Sequence, residues 1–183
     1  MSITLTQPKT AADYARLPEG TPIQLIAGEF ITSPSPLTEH QNILGNFFLG
    51  LSEIVRRTQS GQVYLSPLDV YLSDEDIYQP DIFFVSNERL SGMERNGMHG
   101  APDLVVEVLS PSTAHYDLRD KKDAYEKFGV KEYWIIDPME SSVELFKNSN
   151  GKFETVFLGK TGKVSSILLP EFTLSVEEIF PKR

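Results

Sequence analysis

PDLVVEVLSPSTAHYDLRDKKDAYEKFGVKEYWIIDP, residues 102–138, decides the fold. Its first part, centred on Val105 and Val106, is a short apolar run bounded by prolines, which has the length of a strand. A helix is expected from about Asp117 to Phe128, ending at Gly129, a residue suited to a left-handed cap. EYWIID, residues 132–137, reads as a second strand, apolar enough to be central. Strand, helix, strand predicts a parallel crossover.

Working outward, PIQLIAGEFIT alternates and breaks at Ala27–Gly28, the pattern of a hairpin. Upstream, residues 1–20 read as an arm with a short helix near Ala11 to Leu17. Ser35 and Pro36 suit a helix start, and apolar residues from Leu37 to Val55 recur at three- and four-residue steps. That predicts a long amphipathic helix ending near Arg57. QVYLS, LDVYL and YQPDIFFVS follow as strands, and residues 86–100, polar with three glycines, read as a mobile loop. Beyond the crossover, SVELFK, KFETVFL and KVSSILL add antiparallel edges before a helical turn near Val176 to Ile179. The expectation is α/β (α+β): one domain over 1–183, a mixed central sheet flanked by helices, an N-terminal hairpin and C-terminal antiparallel strands.

Composition narrows the chemistry. No cysteine is present, which removes disulfides, thiolate metal sites and cysteine nucleophiles. No apolar run approaches the roughly 18 residues of a membrane span, and the first residues lack a signal-peptide pattern, so a cytoplasmic protein is expected. Lys and Arg number 17 against 26 Asp and Glu, a net charge of −9. A partner gripped by its phosphates usually meets a basic face. Nucleic-acid chemistry here must rest on a local site.

Such a site is visible. Alternation puts Asp103, Val105, Glu107 and Leu109 on one face of their strand, so Glu107 stands in an apolar setting. A buried carboxylate is costly unless paired or metal-bound. Asp81 opens the strand DIFFV. On a helical wheel at about 100° per residue, Leu118, Tyr125 and Phe128 define an apolar stripe, and Lys121 lies about 30° from its centre. Lys121 therefore points inward. Two acids on adjacent strands suit a hard cation such as Mg²⁺ or Mn²⁺, and an ammonium beside them can stabilise charge on a phosphate. His40 falls on the apolar face of the long helix as a core or site-lining histidine. Glu39 stands in that helix's first turn, where acids are favoured by the dipole. Asp69 and Asp103 are accessory candidates, whereas Asp117 and Asp120 read as helix caps.

The motifs LPEG, QLIAGEF, SPLTEHQ, QPDIFFV, PDLVVEVLSPST, the spacing Asp117–Lys121–Tyr125, and GVKEYWIIDP resemble the Uma-two (Uma2) family of bacterial proteins over about residues 17–150. That family is named for restriction endonucleases and is similar in fold to the PD-(D/E)XK nucleases, whose core is helix, three strands, helix, strand. The resemblance implies a Mg²⁺- or Mn²⁺-dependent endonuclease acting on nucleic acid, DNA ahead of RNA, and a homodimer. It assigns Asp81 and Glu107 to the metal and supplies a lysine from the helix, Lys121, because Leu109 stands where the motif has lysine. It also departs from the family pattern: Gln24 replaces a usual hairpin Glu and Ala27 a common Asp, while Glu29 is kept as an accessory candidate. These departures admit the alternative of a weak or inactive module that keeps the fold for binding, regulation or protein interaction.

Overall fold

The computed structural model describes residues 7–180, so the first six residues of the expected N-terminal arm lie outside it. Helix α1 (Ala11–Tyr14) precedes the hairpin β1 (Ile23–Ile26) and β2 (Glu29–Thr32). Helix α2 (Thr38–Thr58) leads into β3 (Gly61–Leu65), β4 (Val70–Tyr71), β5 (Ile77–Tyr78) and β6 (Ile82–Ser86). Then come β7 (Met93–Glu94), β8 (Gly97–His99), β9 (Leu104–Val108), α3 (Ala114–Leu118), α4 (Asp120–Phe128) and β10 (Glu132–Asp137). The chain closes with β11 (Ser142–Ser149), β12 (Lys152–Gly159), the pair β13 (Lys163–Ser165) and β14 (Thr173–Ser175), and α5 (Val176–Ile179).

The fold is mixed α/β. The main sheet runs β12-β11-β10-β9-β6-β3, and its one parallel pair is β9 with β10, as the strand–helix–strand pattern predicts. Strand alternation divides its side chains. Leu104, Val106, Val108, Trp134 and Ile136 pack under α2 and α5, where Phe47 meets Trp134 and Phe172 edge-on at 5.2 and 5.1 Å. Phe83, Val105, Tyr133 and Ile135 face the other way, against α4 and a second sheet, β2-β1-β5-β4-β8-β7. The expected hairpin turn is present: Ala27 and Gly28 both take positive φ, as a tight two-residue turn requires.

Four expectations need correction. Residues 86–100 are not a structureless loop. A 3₁₀ turn at Leu90–Gly92 and strands β7 and β8 occupy them, pinned where Met98 N–H donates to Asp69 O at 2.8 Å and Arg89 donates to the carbonyls of Ala101 and Pro102. Strands of two or three residues are too short to show a period. YQPDIFFVS is two strands rather than one, because Pro80 interrupts the ladder and the chain passes between sheets there. Helix α2 starts at Thr38 behind Leu37, without a side-chain cap, rather than at Ser35–Pro36. The helix expected from Asp117 is two helices that break at Arg119 (φ −129°, ψ −84°). Its end agrees with expectation: Gly129 takes the left-handed cap at φ 84°.

A buried acid not singled out in the sequence closes the structure. Glu132, fully buried on β10, accepts from Trp134 Nε1 (2.6 Å), Ser166 Oγ (3.1 Å), and the Ile167 and Leu168 N–H groups (2.8 and 3.0 Å). It ties the C-terminal segment to the crossover strand. Replacing Glu132 with Ala orphans two backbone donors and an indole N–H, and is expected to lower unfolding free energy by about 3 kcal/mol or more. A urea midpoint unchanged from the parent would contradict this.

Candidate active site

The paired strands β6 and β9 run in register from Phe84↔Leu104 to Ile82↔Val106. One step further, Asp81 and Glu107 fall opposite each other, on the face of Phe83 and Val105, where opposed side chains stand close. Here the ladder gives way to a side chain: Val108 N–H donates to Asp81 Oδ2 at 2.8 Å. His40 Nε2 approaches the same oxygen at 3.3 Å from the first turn of α2.

Glu107 is 3 % exposed, and its Oε1 accepts both from Lys121 Nζ at 3.0 Å and from Tyr125 Oη at 2.8 Å. Lys121 Nζ also lies 2.9 Å from Asp117 Oδ1. Helix α4 places these groups because its inward face is Lys121, Ala124 and Tyr125, an i, i+3, i+4 set. The sequence reading chose Lys121 through a stripe containing Leu118. Leu118 is 45 % exposed, because the break at Arg119 swings it outward. Lys121 is buried by its position one turn before Tyr125.

Charge within this cluster is tightly constrained. Burial pushes the Glu107 carboxyl up to about 8; Lys121 opposes the shift, and Asp117 and Asp81 add to it. Burial also raises Asp117, again opposed by Lys121. Burial alone would lower Lys121, but Asp117 and Glu107 outweigh it, so its charge is held above the ordinary range. The two buried carboxyls and the ammonium between them therefore titrate together, each acid pushed up by burial and pulled down by Lys121. His40 is raised as well: burial works against it, and the hydrogen bond and charge of Asp81 prevail.

The structure thus brings together Asp81, Glu107, Lys121 and His40. It adds Asp117 and Tyr125. Asp117 was read as a helix cap, yet it is 4 % exposed and ion-paired with Lys121. The four-residue spacing Asp117–Lys121–Tyr125 was the cue in the sequence, but Asp117 stands across the break at Arg119, so helical periodicity accounts for Lys121 and Tyr125 alone.

The remaining candidates lie outside this bonded cluster. Asp103 shares Glu107's face but stands four residues back, roughly 13 Å along the strand. There it binds Lys131 (2.7 Å), Arg89 (3.4 Å) and the Ser86 N–H (2.8 Å). Asp69 accepts from Tyr14 Oη and Gln79 Nε2, both at 2.9 Å, and so joins α1 to the second sheet. Glu29 is exposed on the outermost strand of that sheet, and Glu39 is half-buried on α2; neither bonds to the cluster. Gln24 accepts from Gln79 N–H at 2.9 Å, which anchors the segment leading into Asp81.

A raised carboxyl has a defined effect on stability. Its contribution is fully present below the unfolded value and fades as pH rises through the folded one, because the unfolded chain ionises first. Glu107→Gln removes that titration. The stability difference between variant and parent should shift in the variant's favour between about pH 5 and pH 8. Urea midpoints at both ends test this, and a difference constant with pH would refute the assignment.

The model of a family described as "Putative restriction endonuclease", Uma2, matches residues 11–177. Among solved structures, the crystal structure of "a putative nuclease belonging to DUF820 from Anabaena variabilis ATCC 29413" aligns with a TM-score of 0.80 at 24% identity. The alignment covers 94% of this chain and 98% of that one, a likeness of fold. No curated protein matches the chain. With the fold shared and the match running from α1 into α5, the chain belongs to the Uma2 family.

Proposed function

We propose that the chain is a divalent-metal-dependent nuclease in which Asp81 and Glu107 hold the ion and Lys121 assists hydrolysis of a phosphodiester. The observation that carries this reading is the buried Lys121–Glu107 contact at the strand end where Asp81 is fixed. Family membership supports it.

The donor set fits a hard cation. Asp81 Oδ2 and Glu107 Oε1 are taken by protein donors, and the second oxygen of each accepts no hydrogen bond from the described residues. Mg²⁺ and Mn²⁺ favour such oxygens. Among the described residues no group of three His, Asp or Glu is gathered for a metal, so water and substrate oxygens would complete the shell, as Mg²⁺ tolerates. When bound, the ion neutralises phosphate charge and acidifies a water.

The chain's own residues prepare the site. Val108 N–H and His40 fix one Asp81 oxygen. Lys121 and Tyr125 fix one Glu107 oxygen and so orient the other. Lys121 also supplies a permanent positive charge toward which phosphate charge can develop. In this reading the substrate is nucleic acid, DNA ahead of RNA, and the working form is a homodimer.

A second reading, a fold kept for binding without turnover, is favoured by one observation: Asp117 as well as Glu107 already claims the Lys121 ammonium. Incubation with plasmid, single-stranded DNA and RNA in Mg²⁺, Mn²⁺ or EDTA separates the two. The nuclease reading expects EDTA-sensitive cleavage, reduced about 100-fold or more by Asp81→Asn or Glu107→Gln. Cleavage that survives both substitutions, or none on any substrate, would favour the second.

A further inference from the structure

A cleft of about 370 Å³ opens between β2 and the turn that follows β9. Its lining residue Tyr116 is the chain neighbour of Asp117, which pairs with Lys121 in the candidate site. Phe30 and Thr32 line it from the hairpin, and Ser112, Thr113, His115 and Tyr116 from the turn and α3. The rings of His115 and Tyr116 lie against each other, with centroids 3.9 Å apart and planes tilted by 40°. The turn is tied by a 2.6 Å hydrogen bond between Ser110 Oγ and Thr113 Oγ1. Among the described residues no lysine or arginine lines the cleft.

That lining does not suit a phosphate. Aromatic faces beside hydroxyls suit a flat, neutral ring whose edge carries donors and acceptors. The net charge of −9 makes the same point for the whole chain, since backbone attraction is weak and affinity must come from elsewhere. We propose that this cleft takes an unpaired nucleobase of the substrate strand, stacked on the exposed ring of His115 with Tyr116 packed against that ring. The preferred substrate is then single-stranded or locally opened nucleic acid. In an intact duplex the base is stacked on its neighbours and must be extruded first. The inference rests on the nuclease reading and names its substrate.

Fluorescence anisotropy on the full chain in Ca²⁺ tests it with three labelled probes: a short single strand, its blunt duplex, and an abasic strand of equal length. The single strand should bind tighter than both others. His115→Ala and Tyr116→Leu should each weaken it at least about fivefold, within the range of one lost stacking contact, and leave the abasic strand unaffected. Tyr116→Phe, which keeps the ring, should restore binding. Equal affinity for abasic and normal strands, tighter duplex binding, or indifference to both substitutions would overturn the proposal. Calorimetry with Mn²⁺ on the same proteins separates the two levels. Glu107-dependent Mn²⁺ binding without base preference overturns the cleft's role alone. Loss of Mn²⁺ binding in the parent overturns the nuclease reading.

Discussion

One ammonium between two buried carboxylates is the constraint around which this structure is arranged. Glu107 and Asp117 would each be costly beneath the sheet, and Lys121 alone would be costlier still. Together they set one ammonium against two carboxyls that burial pushes up and Lys121 pulls down. Replacing any one of the three with a neutral side chain alters the protonation of the other two. The cluster is therefore a unit of charge as well as of geometry.

The fold serves that unit by three simple means. A parallel crossover lays α4 over the strand that carries Glu107, and the inward row Lys121, Ala124, Tyr125 delivers an ammonium and a phenol to one carboxylate oxygen. A ladder that stops at Ile82↔Val106 leaves a gap that only the Asp81 side chain closes. A long helix on the far face brings its first turn round the sheet's end, so that His40 reaches the same aspartate. Each element also belongs to a hydrophobic layer, which keeps the polar groups from relaxing toward water.

Much of this was legible in the sequence because its signals were local and strong. The crossover is written in two apolar runs around a polar stretch ending in glycine, and Glu107 is conspicuous amid Leu104–Leu109. What was hidden depended on contacts between distant segments. Strands β7 and β8 are too short for alternation to register, and nothing local showed that they join the hairpin, β4 and β5 in a second sheet. The break at Arg119 carries no proline or glycine to announce it. Asp117 looked like a cap because only the folded crossover shows that its carboxylate turns inward. Glu132 gave no cue, since three of the four donors it satisfies lie more than thirty residues downstream.

The bond from Val108 N–H to Asp81 has an awkward corollary. An acid proposed to hold the metal is here also mortar between two strands. Truncating it to Ala would strand a backbone donor worth about 1–3 kcal/mol, so loss of the proposed ligand and a loosened sheet would arrive as one phenotype. Asn keeps the acceptor and discards only the charge. A lineage that abandoned catalysis would still have reason to keep an oxygen at this spot, and the survival of an acid there cannot by itself certify an active enzyme.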